Sequence, residues 1–395
     1  MTRFDQFPFA GRRAVVRVDF NVPLEKDTYR ITDDTRIRAA VPTINKILND
    51  GGSVVLLSHL GRPKSGPADK YSLRHLVASL SQTFGRPVQF ATDLDAAAQQ
   101  AAQLQPGQIL LVENLRFHPE EEAGDDAFAR RLAALGDVYV NDAFGTAHRA
   151  HASTSVMAHT FTPENRLSGY VMQAEIDAAR RVLENPARPY VAVMGGAKVS
   201  DKILLIERLL DKVDTLVIGG GMAYTFARAE NGTTGNSLVE EDKIELARQL
   251  IQKAKEKGVR LLLPADSVIA DRFANDADTD VASNHRIPAG WMGLDLGPDA
   301  RTQFAQAIET AQTILWNGPM GVFEMPTFSV GTKAVADAVA RATDRGAYSL
   351  IGGGDSAAAV NQLGYANRVS YISTGGGALL EHMEGKTLPG VAAIG

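Results

Sequence analysis

Polar and cationic side chains stand at or near the ends of several short apolar runs in the first 150 residues. These side chains are Asp19, Asn21, Arg36, His59, Arg62, Arg116, His148 and Arg149. Any single arginine could form an ordinary salt bridge, and Asp19 and Asn21 also suit the turn before Pro23. Four arginines and two histidines together would repel one another unless a multiply charged anion lay among them. The pattern therefore predicts a site for a small polyanion, such as a phosphorylated carboxylic acid.

Beyond residue 190, the apolar runs are followed by glycine-rich turns instead of cations. A glycine loop that opens a helix leaves backbone N–H groups directed at a ligand, which is a general device for binding phosphate. Lys198 and Lys202, one helical turn apart, could face one phosphate chain. Asp355 is either a helix N-cap or a Mg²⁺ ligand. A single glycine turn is weak support, but the series predicts a nucleotide site. The turns are Gly195-Gly196, Gly219–Gly221, Gly352–Gly354 and Gly375–Gly377.

The composition limits the class of protein. A chain of 395 residues exceeds what one core usually serves, which predicts two domains. The net charge of −5 argues against nucleic-acid or membrane-surface partners, and the absence of cysteine fits a reducing compartment. With no apolar run of signal-peptide or membrane-spanning length, we expect a cytoplasmic protein.

Apolar strand-like runs alternate with segments of helical spacing, which favours parallel sheets covered by helices on both faces. We expect two doubly wound, Rossmann-like α/β domains that face each other across a cleft. The predicted divisions are an acid-substrate domain over 1–168, a hinge helix over 169–184, a nucleotide domain over 185–384, and a tail over 385–395 that could pack on the first domain. The predicted helical segments are 32–50, 73–84, 127–135, 169–183, 199–211, 241–257, 301–311, 333–342 and 356–363.

Common cofactor motifs are absent from the sequence. It contains neither G-x-x-x-x-G-K-[ST] nor G-x-G-x-x-G, which disfavours a Walker-type NTPase and a standard dinucleotide-binding dehydrogenase. His148 and His151 lack a carboxylate at a familiar spacing for a metal site. Two alternatives remain open from the residues alone: a dehydrogenase with an atypical loop, and a two-domain anion-binding protein.

Eight longer blocks of sequence are specific enough to compare with known families. They are RVDFNVP (17–23), SHLGRP (58–63), ENLRFH (113–118), NDAFGTAHRAH (141–151), GGAKVSDK (195–202), WNGPMGVFE (316–324), GGGDS (352–356) and STGGG (373–377). Read together, and in this order, they resemble the phosphoglycerate kinase family over nearly the whole chain. The resemblance implies a monomeric enzyme of glycolysis and gluconeogenesis. Such an enzyme transfers a phosphoryl group between 1,3-bisphosphoglycerate and ADP, giving 3-phosphoglycerate and ATP.

The resemblance also implies roles for individual residues. Its acid-substrate site falls on Asp19, Asn21, Arg36, His59, Arg62, Arg116 and Arg149. Its nucleotide site falls on Lys202, Gly219, Gly220, Gly293, Asn317, Glu324, Gly352, Gly353, Gly354, Asp355 and Ser356. Its catalytic residues fall on Arg36, Lys198 and Gly354. Asp355 would bind Mg²⁺, Glu324 the ribose hydroxyls, and Gly219–Gly221 would border the adenine pocket. Ser356 stands where many members carry threonine, and it keeps the hydroxyl group.

Overall fold

The computed structural model describes residues 4–64 and 66–395, so positions 1–3 and 65 lie outside the described residues. Internal contacts divide the chain into two compact units. Unit 1 comprises the residues up to Asp177 together with Lys386–Gly395, and unit 2 comprises Ala178–Gly385. Each unit is built on a parallel sheet of six strands, as the alternating pattern predicts.

The sheet of unit 1 consists of buried strands whose carboxyl ends lead into the polar loops. The strands are β1 (Arg13–Arg17), β2 (Ser53–Leu57), β3 (Val88–Ala91), β4 (Ile109–Val112), β5 (Val138–Asn141) and β6 (Arg166–Ser168). Their order is β3-β4-β2-β1-β5-β6, with every neighbouring pair parallel. Because the order reverses between β1 and β5, the crevice at their carboxyl ends is the expected ligand site of an open α/β sheet.

Helices cover both faces of this sheet. They are α1 (Thr35–Asn49), α2 (Val77–Phe84), α3 (Leu94–Gln103), α4 (Pro119–Ala123) and α5 (Asp126–Ala133). Successive residues of a strand point to opposite faces. Val16 therefore packs in the core that contains Ile44 of α1, whereas Val15 packs in the core that contains Leu132 of α5. Burial on both faces explains why these strands read as continuous apolar runs.

Helix α6 (Tyr170–Leu183) contains the boundary between the units, which falls between Asp177 and Ala178. Its first turn is fixed in unit 1 by the Asp142 carboxylate, which accepts hydrogen bonds from the backbone N–H groups of Val171 (2.8 Å) and Met172 (3.3 Å). Asp142 thus provides acceptors for two of the N–H groups that a helix start leaves unpaired.

Unit 2 is built in the same way on a second parallel sheet. Its strands are β7 (Tyr190–Met194), β8 (Thr215–Ile218), β9 (Thr233–Thr234), β10 (Arg260–Leu262), β11 (Asp266–Ala270), β12 (Thr279–Ser283), β13 (Arg286–Ile287), β14 (Met292–Leu296), β15 (Thr313–Asn317), β16 (Tyr348–Gly352) and β17 (Tyr371–Ile372). The six-stranded sheet has the order β10-β8-β7-β15-β16-β17, with its reversal between β7 and β15. Both reversal points thus lie beside sequence blocks that are predicted to bind ligands.

All five helical segments predicted within unit 2 correspond to helices, with ends that differ by a few residues, and two further helices, over 222–229 and 377–383, were not predicted. The helices of unit 2 are α7 (Ile203–Leu209), α8 (Met222–Ala229), α9 (Ile244–Glu256), α10 (Pro298–Glu309), α11 (Val330–Asp344), α12 (Gly354–Gln362) and α13 (Gly377–Met383). The expectation that strand and helix alternate throughout is wrong between β11 and β14. There the chain forms an antiparallel sheet of order β12-β11-β14, because no helix separates these strands.

The C-terminal segment packs within unit 1. Its short helix α14 (Pro389–Ala392) begins where the Gly390 N–H donates to the Ala147 carbonyl at 2.8 Å. The Arg166 guanidinium donates to the Ala393 carbonyl at 3.1 Å. Among the described residues, no helix has both the length and the apolar character needed to span a membrane.

Asp295 of β14 predicts a pH-dependent stability for unit 2. Its Oδ2 accepts from the Gly331 N–H at 2.8 Å, whereas the buried Oδ1 has no hydrogen-bond partner. Burial raises the pKa of Asp295 to about 7. The folded state therefore binds this proton more tightly than the unfolded state, so stability is greatest below the ordinary aspartate pKa of about 3.9 and falls as pH rises through about 7.

We expect Asp295→Asn to remove this pH-dependent loss of stability, which is on the order of a few kcal/mol in the free energy of unfolding. Urea unfolding between about pH 4 and pH 7.5, followed by the fluorescence of Trp291 and Trp316, measures it, since both tryptophans lie in unit 2. Asp278→Asn is the control, because Asp278 is exposed. Equal pH slopes in the wild type and Asp295→Asn would contradict the prediction.

Candidate active site

The loops after β1 and β2 bring the first polar residues together at the reversal point of unit 1. Arg36, in the first turn of α1, donates from Nη1 to Asp19 Oδ2 at 3.0 Å and to the Asn21 carbonyl at 3.2 Å. The Arg36 side chain keeps 36% of its surface exposed and Asp19 keeps 16%. Asp19 therefore orients a guanidinium that still has donors available for a ligand.

Gly61 is the point where three of the polar blocks meet. Its N–H donates to Asn21 Oδ1 at 2.8 Å, and its carbonyl accepts from Arg116 Nη1 at 2.8 Å. The backbone φ is +63°, and a Cβ at this position would lie 2.5 Å from two carbons of the Tyr71 ring. Only glycine fits this conformation and contact without strain. Gly61 thus connects the loop after β1, the SHLGRP loop and Arg116.

The cations of unit 1 lie close enough to one another to lower each other's pKa. Burial lowers the pKa of Arg116, and Arg149 and Arg62 lower it further. Burial, together with repulsion from nearby arginines, holds the pKa of His59 well below its usual range. The same causes lower the pKa of His151 to about 4. A neutral imidazole among guanidinium groups is the state that minimises this repulsion.

The structure therefore places all seven predicted acid-site residues of unit 1 in one cluster, the cation cluster. Their contacts differ in strength. Arg62 is exposed, whereas Arg149 donates from Nε to His148 Nε2 at 3.2 Å. Arg116 forms a long ion pair with Glu122, 3.7 Å between Nε and Oε1. The members are Asp19, Asn21, Arg36, His59, Arg62, Arg116 and Arg149.

Sequence reasoning missed three polar residues buried behind this cluster. They are Arg17, Glu121 and Ser153, and Arg17 and Glu121 are each only 1% exposed. Arg17 belongs to β1 and lies inside a run that otherwise reads as apolar. The only signal available was a charged residue at a strand position that should be buried.

A hydrogen-bonded group at the reversal point of unit 2 joins three of its glycine-rich blocks. Lys202 Nζ donates to Asn317 Oδ1, and Asn317 Nδ2 donates to the Gly352 carbonyl at 2.7 Å. The Gly318 N–H donates to Ser356 Oγ at 2.6 Å. Burial lowers the pKa of Lys202, while the neighbouring Asp355 acts to raise it. The group holds the N-terminus of α12 beside the turn after β15.

Two glycines of unit 2 meet backbone or side-chain atoms that leave no room for a side chain. A Cβ at Gly220, where φ is +71°, would lie 2.6 Å from both the nitrogen and the oxygen of Gly196. A Cβ at Gly353, where φ is +90°, would lie 2.6 Å from Asn317 Nδ2. Gly354 has no atom within 4 Å of such a Cβ, so it faces open space at the start of α12. Close packing selects the first two glycines, and the third leaves its backbone accessible.

Unit 2 contains a cavity of about 480 Å³ beside this group. Five of the residues predicted for the nucleotide site or its adenine pocket line it: Gly220, Gly221, Gly293, Glu324 and Asp355. The others predicted for this site do not line the cavity: Lys202, Gly219, Asn317, Gly352, Gly353, Gly354 and Ser356. The hydrogen bonds above place Lys202, Asn317, Gly352 and Ser356 in the adjoining group. A mainly apolar cavity with a few polar groups is typical of a site for a small organic ligand or cofactor.

The apolar walls of the cavity were not identified from the sequence. Tyr224 contributes a buried hydroxyl group that hydrogen bonds with Ser267 Oγ at 2.9 Å, and Phe273 is 61% exposed. Leu238 is 50% exposed. Exposed large apolar side chains beside a cavity are a signal for a ligand, but only once the fold is known.

Comparison with known proteins identifies the family of this chain. A family model described as phosphoglycerate kinase matches residues 4–386. The chain belongs to the phosphoglycerate kinase family. It is therefore a glycolytic phosphotransferase with a carboxyl group as acceptor, acting between 1,3-bisphosphoglycerate and ADP to give 3-phosphoglycerate and ATP.

Phosphoglycerate kinases of other organisms are similar to nearly the whole of this chain. The chain is 54% identical to that of Porphyromonas gingivalis, with 99% of each chain covered. It is also 54% identical to the chloroplastic phosphoglycerate kinase of Volvox carteri, covering 97% of this chain and 83% of the relative. The solved structure of phosphoglycerate kinase from Coxiella burnetii has a TM-score of 0.91 at 41% identity, covering 100% of this chain and 98% of the other.

Proposed function

We propose that the cation cluster of unit 1 binds the phosphate and carboxylate of 3-phosphoglycerate or of 1,3-bisphosphoglycerate. The support is the repulsion among its members, which an anion of several charges would relieve. Arg36 and Arg116 offer planar donors suited to phosphate and carboxylate oxygens, and Asn21 and Asp19 hold the loop that presents them.

The cavity of unit 2 and its adjoining group bind ADP or ATP in this proposal. The apolar walls suit the adenine, Glu324 suits the ribose hydroxyls, and the N-terminus of α12 suits the phosphates. Asp355 is an exposed carboxylate in the first turn of α12 and lines the same cavity. One carboxylate beside nucleotide phosphates fits the way Mg²⁺ is held in kinases, so Asp355 would bind it. Bound Mg²⁺ would supply neutralisation of phosphate charge.

The reaction needs positioning and charge neutralisation more than proton transfer. The carboxylate of 3-phosphoglycerate is ionised at neutral pH, so no general base is required. The moving phosphoryl group spreads negative charge over its equatorial oxygens, and Arg36, Lys198 and the backbone at Gly354 would meet that charge. One observation carries this proposal. The cation cluster lies at the reversal point of the unit 1 sheet, and the glycine-rich turns lie at the reversal point of the unit 2 sheet.

We propose further that the units close when both substrates are bound, with α6 as the hinge, because closure keeps water away from an acyl phosphate. The support is that α6 contains the division between the units. Small-angle scattering should show a smaller radius of gyration with 3-phosphoglycerate and ATP than with either alone. An unchanged radius would contradict the hinge.

Transfer of labelled phosphoryl from ATP to 3-phosphoglycerate tests the proposed function directly. We expect Mg²⁺-dependent formation of labelled 1,3-bisphosphoglycerate by a monomer, with no requirement for nucleic acid or membrane. Loss of transfer in Asp355→Asn, with fold retained, would support Asp355 as the Mg²⁺ ligand. Full activity without divalent cations would contradict that role. The net charge and composition support a cytoplasmic setting.

Gly61→Ala is expected to raise the KM for 3-phosphoglycerate more than tenfold, because the new methyl group would meet the Tyr71 ring and displace the bonds to Asn21 and Arg116. Gly85→Ala is a matched control: its φ is +62°, but a Cβ there has nothing within 4 Å. The double variant Gly61→Ala, Tyr71→Ala should recover part of the loss. Steady-state kinetics at saturating ATP measure all three, and equal KM values in the two single variants would rule out the contact.

A further inference from the structure

Arg17 is a buried guanidinium with an unusual set of partners. It is the last residue of β1 and is 1% exposed. Its Nε donates to Ser153 Oγ at 2.7 Å, its Nη1 donates to the Val18 carbonyl, and its Nη2 lies 3.2 Å from His59 Nδ1. A buried arginine is costly unless its donors and charge are compensated. The three contacts show that the structure satisfies a donor on each guanidinium nitrogen.

Ser153 connects Arg17 to a buried carboxylate. Ser153 Oγ donates to Glu121 Oε1, and the Ser153 N–H donates to Glu121 Oε2 at 3.0 Å. A hydroxyl group has one proton, so the proton given to Glu121 leaves a lone pair that accepts from Arg17. Tyr139 donates to the Ser153 carbonyl at 2.8 Å, which fixes the serine further. These two hydrogen bonds form a relay with one direction: Arg17 donates to Ser153, and Ser153 donates to Glu121.

The charges at the ends of the relay compensate each other within the core. Burial raises the pKa of Glu121, while Arg17 and the bonds from Ser153 act to lower it. The relay thus holds a positive charge directly behind the cation cluster without adding an exposed cation. A single hydroxyl separates the two charges, so the guanidinium keeps its Nη2 group for His59.

The contact with His59 determines where the imidazole carries its proton. A guanidinium can only donate, so His59 Nδ1 must accept. A neutral histidine with an accepting Nδ1 carries its proton on Nε2. Burial and the neighbouring arginines lower the pKa of His59, which favours that neutral state. The ring then has one donor available, on Nε2.

We propose that Arg17 is a positioning residue that holds His59 as the neutral Nε2–H tautomer, so that the imidazole donates to an anionic oxygen of the acid substrate. Glu121, acting through Ser153, holds Arg17 in the orientation that makes this contact. An anion accepts hydrogen bonds but offers none, so the opposite tautomer would direct a lone pair at it. This inference rests on the proposed function of the cation cluster.

The tautomer can be measured without substrate. Long-range ¹H–¹⁵N correlation spectra of the histidine rings, with His59→Gln to assign the signal, should show His59 protonated on Nε2 and bare on Nδ1. Arg17→Lys keeps a charge but loses the planar donor, and we expect it to give a mixture of tautomers. Arg13→Lys, at the other end of β1, should leave the His59 spectrum unchanged. Protonated Nδ1 in the wild type would overturn the proposal, whether or not any variant folds.

A double-mutant cycle then separates action through His59 from direct binding. We expect Arg17→Lys and His59→Gln each to raise the KM for 3-phosphoglycerate at least tenfold with little change in the KM for ATP. The double variant should raise the KM for 3-phosphoglycerate no more than His59→Gln alone does. Additive losses would overturn the positioning role. If His59→Gln leaves KM unchanged while the tautomer is as expected, the proposed substrate site fails and the Arg17–His59 contact stands.

Ser153→Ala tests the relay itself. It removes the hydroxyl group but not the charges, so we expect partial loss of the single tautomer and an intermediate rise in KM. Thr154→Ala, at the next position, is the control for general disturbance of this loop, because Thr154 Oγ1 donates to the Arg149 carbonyl and is not in the relay. A wild-type His59 spectrum in Ser153→Ala would exclude Glu121 and Ser153 from the proposal.

Discussion

Arg36→Ala is expected to lower kcat by about 100-fold while the fold is retained. The guanidinium is oriented by Asp19 and the Asn21 carbonyl, yet more than a third of its surface is exposed at the cation cluster. A donor held in place before the reaction stabilises developing charge without reorganisation. We therefore expect kcat and kcat/KM to fall together, as for an interaction made mainly in the transition state.

Arg38→Ala is the matched control for this variant. Arg38 is two positions further along α1, is 66% exposed, and pairs with Asp34 at 3.3 Å. Such exposed pairs contribute little to stability, roughly 0 to 1 kcal/mol. Steady-state kinetics in both directions, with circular dichroism to check folding, measure the difference. Normal turnover in Arg36→Ala would remove Arg36 from the transition state.

Lys198→Ala is expected to depress turnover by a similar factor, more than tenfold and about 100-fold if it meets the moving phosphoryl group directly. Lys198 is exposed in the turn between β7 and α7, next to the Gly195-Gly196 pair at the reversal point of unit 2. Because Lys198 is exposed, its substitution should change stability little. Lys202 is different, because it is part of the group that contains Asn317.

Single-turnover measurements, in which a preformed enzyme–ATP complex is mixed with 3-phosphoglycerate, separate the phosphoryl-transfer step from product release. Lys257→Ala provides the control, since Lys257 pairs with Asp211 on the surface of unit 2. A Lys198 variant with a normal single-turnover rate would show that this lysine does not contact the phosphoryl group in transit. A Lys257 variant as slow as Lys198→Ala would point to a general effect of charge.

The parts of the molecule that could be predicted from the sequence each have a strong pattern in their local sequence. Continuous apolar runs became the parallel strands because both faces of each sheet are covered. The polar ends of those runs became the cation cluster because the carboxyl ends of parallel strands meet at one edge. The cluster residues could thus be named before their distances were known.

Other parts had no local pattern to detect. Helix α8 is buried on nearly every side, so its sequence lacks the polar face that makes helical spacing visible. Strand β12 is largely exposed and polar, so it lacks an apolar run. The walls of the nucleotide cavity are ordinary apolar residues whose type does not distinguish a pocket from a core. Arg17 was not recognised because the residues next to it in the run Ala14–Val18 are all apolar.

The return of the last ten residues to unit 1 has a consequence for synthesis of the protein. Residues 4–177 of unit 1 are synthesised before unit 2, but the Gly390 and Ala393 contacts to Ala147 and Arg166 can form only after residues 386–395 have been synthesised. Unit 2 is a continuous stretch of chain and has no such dependence. A chain truncated after residue 385 would therefore contain every residue of unit 2 but a unit 1 that lacks these contacts.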